Sequence, residues 1–347
     1  MKRTLAATAV LASAVSLSTV TSSAAAPLGP DASAAVRCSA AVSLTGFSDH
    51  LDETTFGGQP VAGLSALAPA PDGSLLALSD RSELFTLDAA TRTPTAVVPL
   101  RDEAGAELDS EGLVVDRDGT LLVSSEVGPA VRRYSPDGRI LGSLPVPAAL
   151  QIAPAGRAQT NLSLEGLTLS ADGLTLYSND EQELLGDPDG ALRIQTWHRT
   201  DLAAPFELGP QIAYQADPGL GVPELLAAPD GRIVLIEREF IEQVGNTVRL
   251  YVIDPAAAAD VSAVEVLDEE SVVAKTLLAD LVTCPAQGAV AEQEQLNPLL
   301  DNIEGMTVLS AQGDRRLQLL LVSDDNERPT QTTRFYDLDV TLPIEES

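Results

Sequence analysis

The chain has 347 residues, with 21 Lys and Arg against 51 Asp and Glu, and a formal net charge of −30. Beyond Lys2 its one lysine is Lys275, so the basic footprint that nucleic acid or an anionic membrane surface requires is missing. The acidity fits either plain solubility or bound divalent cations.

The chain opens Met1-Lys2-Arg3, runs through a small apolar stretch to about Val20 and reaches Ser22-Ser23-Ala24-Ala25-Ala26. That is a secretory signal peptide over 1–26, too short and too rich in Ala and Ser for a membrane span. Arg37 directly before Cys38 argues against a lipid anchor. The mature protein is expected to be secreted, unanchored and monomeric. Residues 27–37 are rich in Ala, Pro and Ser and are expected to be disordered. Residues 38–347 are long enough for one β domain with a full core. Cys38 and Cys284 are the only cysteines, and in an exported protein they are expected to form one disulfide.

From Cys38 onward, short apolar and β-branched runs alternate with Asp-Gly and similar turn pairs, which reads as β structure throughout. Helical periodicity is weak and confined to 271–281 and 289–300. One pattern recurs five times with variation: Glu-Gly-Leu, an apolar run, Asp-Gly, a second apolar run, then an acid. Ser65-Ala66-Leu67 lacks the acid and Glu224-Leu225-Leu226 lacks the glycine. In the second copy the strands are expected at 111–116, 120–125, 130–135 and 140–146. The copies begin at Ser65, Glu111, Glu165, Glu224 and Glu304, spaced by 46, 54, 59 and 80 residues. Periods of that size, with several strands each, predict an all-β fold: a single β-propeller. The long last interval leaves room for a sixth blade. Alternatively, an N-terminal strand near 41–47 completes the last blade and closes the ring. A β-sandwich competes as a fold but leaves the in-register repeats unexplained.

Within each repeat the first two strands are antiparallel, so the start of one and the end of the other share an edge. Two acidic columns therefore face one mouth of the ring. The first reads Ser65, Glu111, Glu165, Glu224 and Glu304. The second reads Asp80, Glu126, Asp180/Glu181, Glu237 and Asp324/Asp325. Asp109, Asn161, Asp301 and Asn302 supply flanking oxygens. So many carboxylates cannot all ionise without a counter-charge. A hard cation with oxygen ligands is the simple remedy, and Ca²⁺ tolerates an irregular site. The expected ligands are Glu111, Glu165, Glu224, Glu304, Asp80 and Asp324. Two isolated histidines make zinc a poor fit. The competing reading has each Glu solvated, or bonded to backbone amides between blades. Arginines beside the second column, Arg81 and Arg238, together with Asn326, are expected to hold an anionic group such as a phosphate. The competing role for such arginines is pairing across blades. Glu126 or Glu181 is the expected general base.

At this point several short stretches act together. They are Ser79-Asp80-Arg81, Asp109-Ser110-Glu111-Gly112-Leu113, Asn161 to Leu167, Glu237-Arg238-Glu239-Phe240, Asp301-Asn302-Ile303-Glu304-Gly305 and Ser323-Asp324-Asp325-Asn326. In their order and number they resemble the phytase-like family, "esterase-like activity of phytase", from about Gly63 to Asp339. The resemblance implies an exported, acid-rich propeller that hydrolyses phosphoesters or other esters. The near absence of lysine departs from propellers that handle phytate and points away from so anionic a substrate, unless it arrives as its calcium salt. The leading expectation is a secreted, Ca²⁺-dependent phosphoester hydrolase acting on a small molecule. The alternatives are a calcium-stabilised propeller that only binds a ligand, and a lactonase or carboxylesterase.

Overall fold

The computed structural model describes residues 36–268 and 270–344. The expected signal peptide and residues 27–35 lie outside the described residues. The segment expected to be disordered was drawn too long. Val36–Arg37 form a short strand paired to Leu44 and Ser43, because the backbone amides of Cys38 and Ser39 both turn back onto the Val42 carbonyl.

Five antiparallel sheets form the blades, four of them with their strands in sequence order across the sheet and the fifth with N-terminal strands added at its outer edge. Thr55–Phe56 and Gln59–Pro60 make a separate two-stranded sheet. Blade 1 is Leu64–Pro69, Leu75–Ser79, Glu83–Leu87 and Pro94–Pro99. Blade 2 is Ser110–Val115, Leu121–Ser125, Ala130–Tyr134 and Ile140–Ser143. Blade 3 is Leu164–Leu169, Thr175–Asp180, Ala191–His198 and Glu207–Gln215. Blade 4 is Gly221–Ala227, Ile233–Ile241, Gly245–Ile253 and Lys275–Asp280. Blade 5 is Asn302–Gln312, Arg316–Asp324 and Phe335–Thr341, and Val42–Ser48 pairs with its last strand. The first strand of each blade touches the first strand of the next, and that of blade 5 touches blade 1. The ring therefore has five blades, and the long interval before Glu304 holds no sixth.

The strands are buried on both faces, which is why they read as continuous apolar runs. Leu75, Leu76, Ala77 and Leu78 are all buried, for example. Each seam between blades holds its own core. Leu78, Leu113 and Val123 pack between blades 1 and 2, and Val234, Ile236, Ile303 and Leu321 pack between blades 4 and 5. Among the described residues there is no α-helix. The periodicity at 271–281 belongs to the outer strand Lys275–Asp280, which is half covered as the edge strand of its sheet. The stretch 289–300 is irregular and is pinned where Asn297 donates to the carbonyls of Val282 and Cys284. No helix is long and apolar enough to cross a membrane among the described residues.

Two kinds of glycine explain the repeat. Gly119 turns the Asp-Gly corner at φ 83°, a conformation that side chains disfavour. The glycine of Glu-Gly-Leu instead gives space. A Cβ on Gly112 would stand 2.7 Å from the Leu167 amide nitrogen, and one on Gly166 would stand 2.8 Å from Glu224 Cα. Each of these glycines is where the next blade comes closest. Gly166→Ala is expected to destabilise the protein by about 2 kcal/mol through overpacking against backbone that cannot yield. Urea unfolding monitored by circular dichroism measures it. Cys38 and Cys284 form the expected disulfide, 246 residues apart in sequence. A closed loop of that size stabilises by about 5 kcal/mol in the chain-entropy model.

Candidate active site

Each inner strand is irregular at the acidic position. The pairing with the second strand shifts between Leu64 and Ala66, Val123 and Ser125, Leu164 and Leu167, Gly221 and Glu224, and Ile303 and Gly305. Bulges of this kind re-aim a side chain. Here they help turn acids toward one end of the central channel. The result is a cavity of about 410 Å³ lined by both columns.

Glu111, Glu165 and Glu304 of the first column line it, with Asp80, Glu126, Glu181 and Asp324 of the second. Asp109, Asn161, Asn302 and Asn326 join them. Four acids from the two columns do not, Asp325 among them, which accepts from the Gly63 amide and the Thr333 hydroxyl. Glu224 is buried and accepts from the Leu225 amide at 2.9 Å, as the amide-bonded alternative describes. Asp180 is fully buried beside the channel, and Glu181 takes the cavity position instead. Glu237 accepts from the Tyr214 hydroxyl and from the Asp217 amide, and pairs with Lys275. The structure therefore does not bring Glu224 to the other expected ligands. Arg81 also lies outside the cavity, paired with Glu327 at 3.0 Å near the surface. Asn326 sits at the mouth with φ 49° and donates its amide to Asp324 at 2.6 Å.

Two tight groups of carboxylates form among the described residues. Asp109, Glu111 and Glu126 bring one oxygen each within 4.8 Å of one another, and so do Glu126, Glu165 and Glu181. Glu126 belongs to both. The Ser163 amide donates to Glu126 at 2.7 Å and fixes it. Asp109 is presented from a left-handed turn, φ 51°, a conformation that Asp tolerates better than most residues. Asp80, Glu304 and Asp324 stand outside these groups. Sequence reasoning placed Asp109 only among flanking oxygens and cast Glu126 and Glu181 as bases. The side chain of Arg328 at the mouth, with Gln293, Leu162 and Phe240, was missed as lining. Phe240 carried a usable signal, since it lies two residues past Arg238 on one strand face.

The electrostatics are those of crowded, buried acids. Glu126 is pushed up to about 7 by burial, with Glu181 and Asp109 adding and the Ser163 amide opposing. Burial, then Glu304 and Asp109, pushes Glu111 well above the usual range. Burial, then Glu111 and Glu181, does the same to Glu165. Asp80 is pushed up to about 7 by burial and by Asp324, and its Oδ1 has no hydrogen-bond partner. Two unit charges 4.8 Å apart repel by about 3.5 kcal/mol at an effective dielectric of about 20.

Arg238 places a cation in the cavity wall, its side chain 16% exposed. Its Nη2 donates to Glu304 at 2.7 Å and to Glu181 at 3.4 Å, while its Nε is buried without a partner. Burial, opposed by Arg238, leaves Glu304 at about 7. The cavity thus has a part neutralised by arginine, at Glu304 and Glu181, and a part in which Asp109, Glu111, Glu165 and Glu181 gather around Glu126, with Glu181 common to both. The second part has only oxygen donors and excess negative charge, the chemistry of a hard cation site. Histidine and cysteine are absent from the lining, so it does not fit zinc.

A five-bladed propeller with an acidic cavity at one mouth of its channel is the class these observations define. The chain belongs to the phytase-like family, described as esterase-like activity of phytase, whose pattern matches residues 59–327. It is also 34% identical over 95 residues to an uncharacterized secreted protein of Arthroderma benhamiae, covering 20% of this chain and 19% of that protein. The match thus spans about a fifth of that curated relative. Two solved structures are similar in outline. One is a protein described as a putative gluconolactonase, at 13% identity over 81% of this chain and 75% of that chain, with a TM-score of 0.43. The other is a gluconolactonase from Xanthomonas campestris, at 15% identity over 81% and 73%, with a TM-score of 0.42.

Proposed function

We propose that the cavity is the active site of an exported, Ca²⁺-dependent phosphoester hydrolase. The observation that carries this reading is the pair of carboxylate groups sharing Glu126 and facing Arg238. Asp109, Glu111 and Glu126 would hold one cation, and Glu126, Glu165 and Glu181 are placed to hold a second. A bound cation supplies charge to a phosphoryl oxygen and lowers the pKa of a coordinated water.

The chain's own groups do the rest. Arg238 would present its guanidinium to a phosphoryl oxygen, while Glu304 and Glu181 hold it in place. The water oxygen bonds to phosphorus, the ester P–O bond breaks, and a proton ends on the released alcohol. Asp80, which lines the cavity with its Oδ1 unpaired, would give that proton and recover it from the attacking water. Glu126 and Glu181 serve as ligands in this reading rather than as bases. Export is supported by the leader-like sequence, by the Cys38–Cys284 disulfide and by the secreted relative. The substrate is a small molecule and the protein works as a monomer.

The test is turnover of p-nitrophenyl phosphate, bis-p-nitrophenyl phosphate, p-nitrophenyl acetate and a lactone by the mature protein, in Ca²⁺ and in EDTA. Phosphate ester cleavage that EDTA abolishes is expected. Cleavage of only the acetate or the lactone moves the protein to the esterase or lactonase reading. No cleavage of any of them moves it to the ligand-binding reading.

A further inference from the structure

The second strand of blade 4 carries a stripe on one face. Val234 and Ile236 lie in the core shared with blade 5, and Arg238 and Phe240 follow at the same spacing of two. Arg238 reaches the acidic cavity, and Phe240 continues the stripe into its wall. Among the described residues that line this cavity, Leu162 and Phe240 are the two apolar ones. The chain has 6 phenylalanines, and Phe240 alone among them is exposed, at 41%. Ile241 and Val244, 44% and 39% exposed, lie beside it at the tip of the same hairpin, closed by the Val244 amide on the Ile241 carbonyl at 3.0 Å. Val127, directly after Glu126, is 63% exposed.

A set of carboxylates meant only to hold ions gains nothing from an exposed aromatic ring above it. Apolar surface held at the rim of a charged cavity stabilises a bound molecule with both characters. We infer that the substrate is an ester whose organic part is apolar, an alkyl chain packed on Phe240 and Leu162 while its phosphoryl group sits below on Arg238. A polyanionic organic part would be repelled by the carboxylates of the lining, and a polyhydroxylated one would leave Phe240 uncovered. This rests on the phosphoester reading of the same site and sharpens it.

The experiment compares n-hexyl phosphate with glycerol 1-phosphate, both primary alkyl esters, by release of inorganic phosphate in Ca²⁺. Wild-type protein is expected to favour the hexyl ester about 30-fold in kcat/KM. Phe240→Ala is expected to reduce that ratio to about threefold, mainly through KM, while Phe240→Leu keeps most of it. Melting curves with and without Ca²⁺ show that the variants are folded and bind the ion. A wild-type ratio near one, or a ratio unchanged in Phe240→Ala, overturns the inference and leaves the hydrolase reading standing. Release of phosphate from neither ester overturns both.

Discussion

Glu126→Gln is expected to lower kcat/KM on p-nitrophenyl phosphate at least about 100-fold and to remove the stabilisation by Ca²⁺. The side chain belongs to both carboxylate groups, so a single neutral amide withdraws a ligand from each. The substitution is mild for the fold. The glutamine oxygen can still accept from the Ser163 amide, which lies 2.7 Å from the present carboxylate. In EDTA the variant should be more stable than wild type, because one of several crowded buried charges is gone. Ca²⁺ at about 1,000 times its dissociation constant should raise wild-type stability by about 4 kcal/mol and leave the variant nearly unmoved. Steady-state rates and melting curves measure both effects. Turnover within a few-fold of wild type, with an unchanged Ca²⁺ response, contradicts the shared role of Glu126.

The second large effect is a stability that falls as pH rises when Ca²⁺ is removed. Burial pushes Glu126 from 4.5 to about 7, with Glu181 adding. Burial, opposed by Arg238, pushes Glu304 from 4.5 to about 7. Burial and Asp324 push Asp80 from 3.8 to about 7. These raised values mean that, between about pH 4 and pH 7, the native state binds more protons than the unfolded chain. The favourable term is full below the unfolded pKa and is lost as pH rises through the folded one. For Glu126 alone the shift corresponds to about 3 kcal/mol. The three groups lie close together, so their effects do not simply add. An EDTA-treated sample is expected to melt roughly 10 °C lower at pH 8 than at pH 5. Ca²⁺ should flatten or reverse that slope, since it takes the place of the protons. Acids such as Asp217, held at about 2 by Lys275, Tyr251 and Arg249 despite partial burial, act the other way. Their contribution is lost only as pH falls below about 4, outside this window. A melting temperature that rises from pH 5 to pH 8 in EDTA would rule out a cavity of raised pKa values.

The propeller was legible because its signals are local and repeated. Asp116 to Gly119 close a corner through the Gly119 amide on the Asp116 carbonyl at 2.9 Å, and the same Asp-Gly pair marks other blades. The two acidic columns were legible because antiparallel pairing fixes which ends of a hairpin meet. Their fine aim was not. Glu111 and Glu224 occupy equivalent places in the repeat, yet Glu111 lines the cavity while Glu224 bonds the Leu225 amide. Asp180 and Glu181 were equal candidates in sequence, and which one faces the cavity depends on where the strand ends and turns. Arg81 looked like a substrate ligand beside Asp80, but it lies in the turn that follows Leu75–Ser79 and pairs with Glu327. Asp109 entered a tight group through a left-handed backbone that the Asp-Ser-Glu sequence does not announce.

Calorimetric titration of the mature protein with Ca²⁺ near pH 7, in two buffers of different ionisation enthalpy, tests the central claim most directly. The account predicts saturable binding with a dissociation constant at or below about 1 mM. It also predicts a heat that differs between the buffers, because acids such as Glu126 release protons as the ion binds. No saturable heat at about 10 mM Ca²⁺, or binding that Glu126→Gln leaves unchanged, would contradict it.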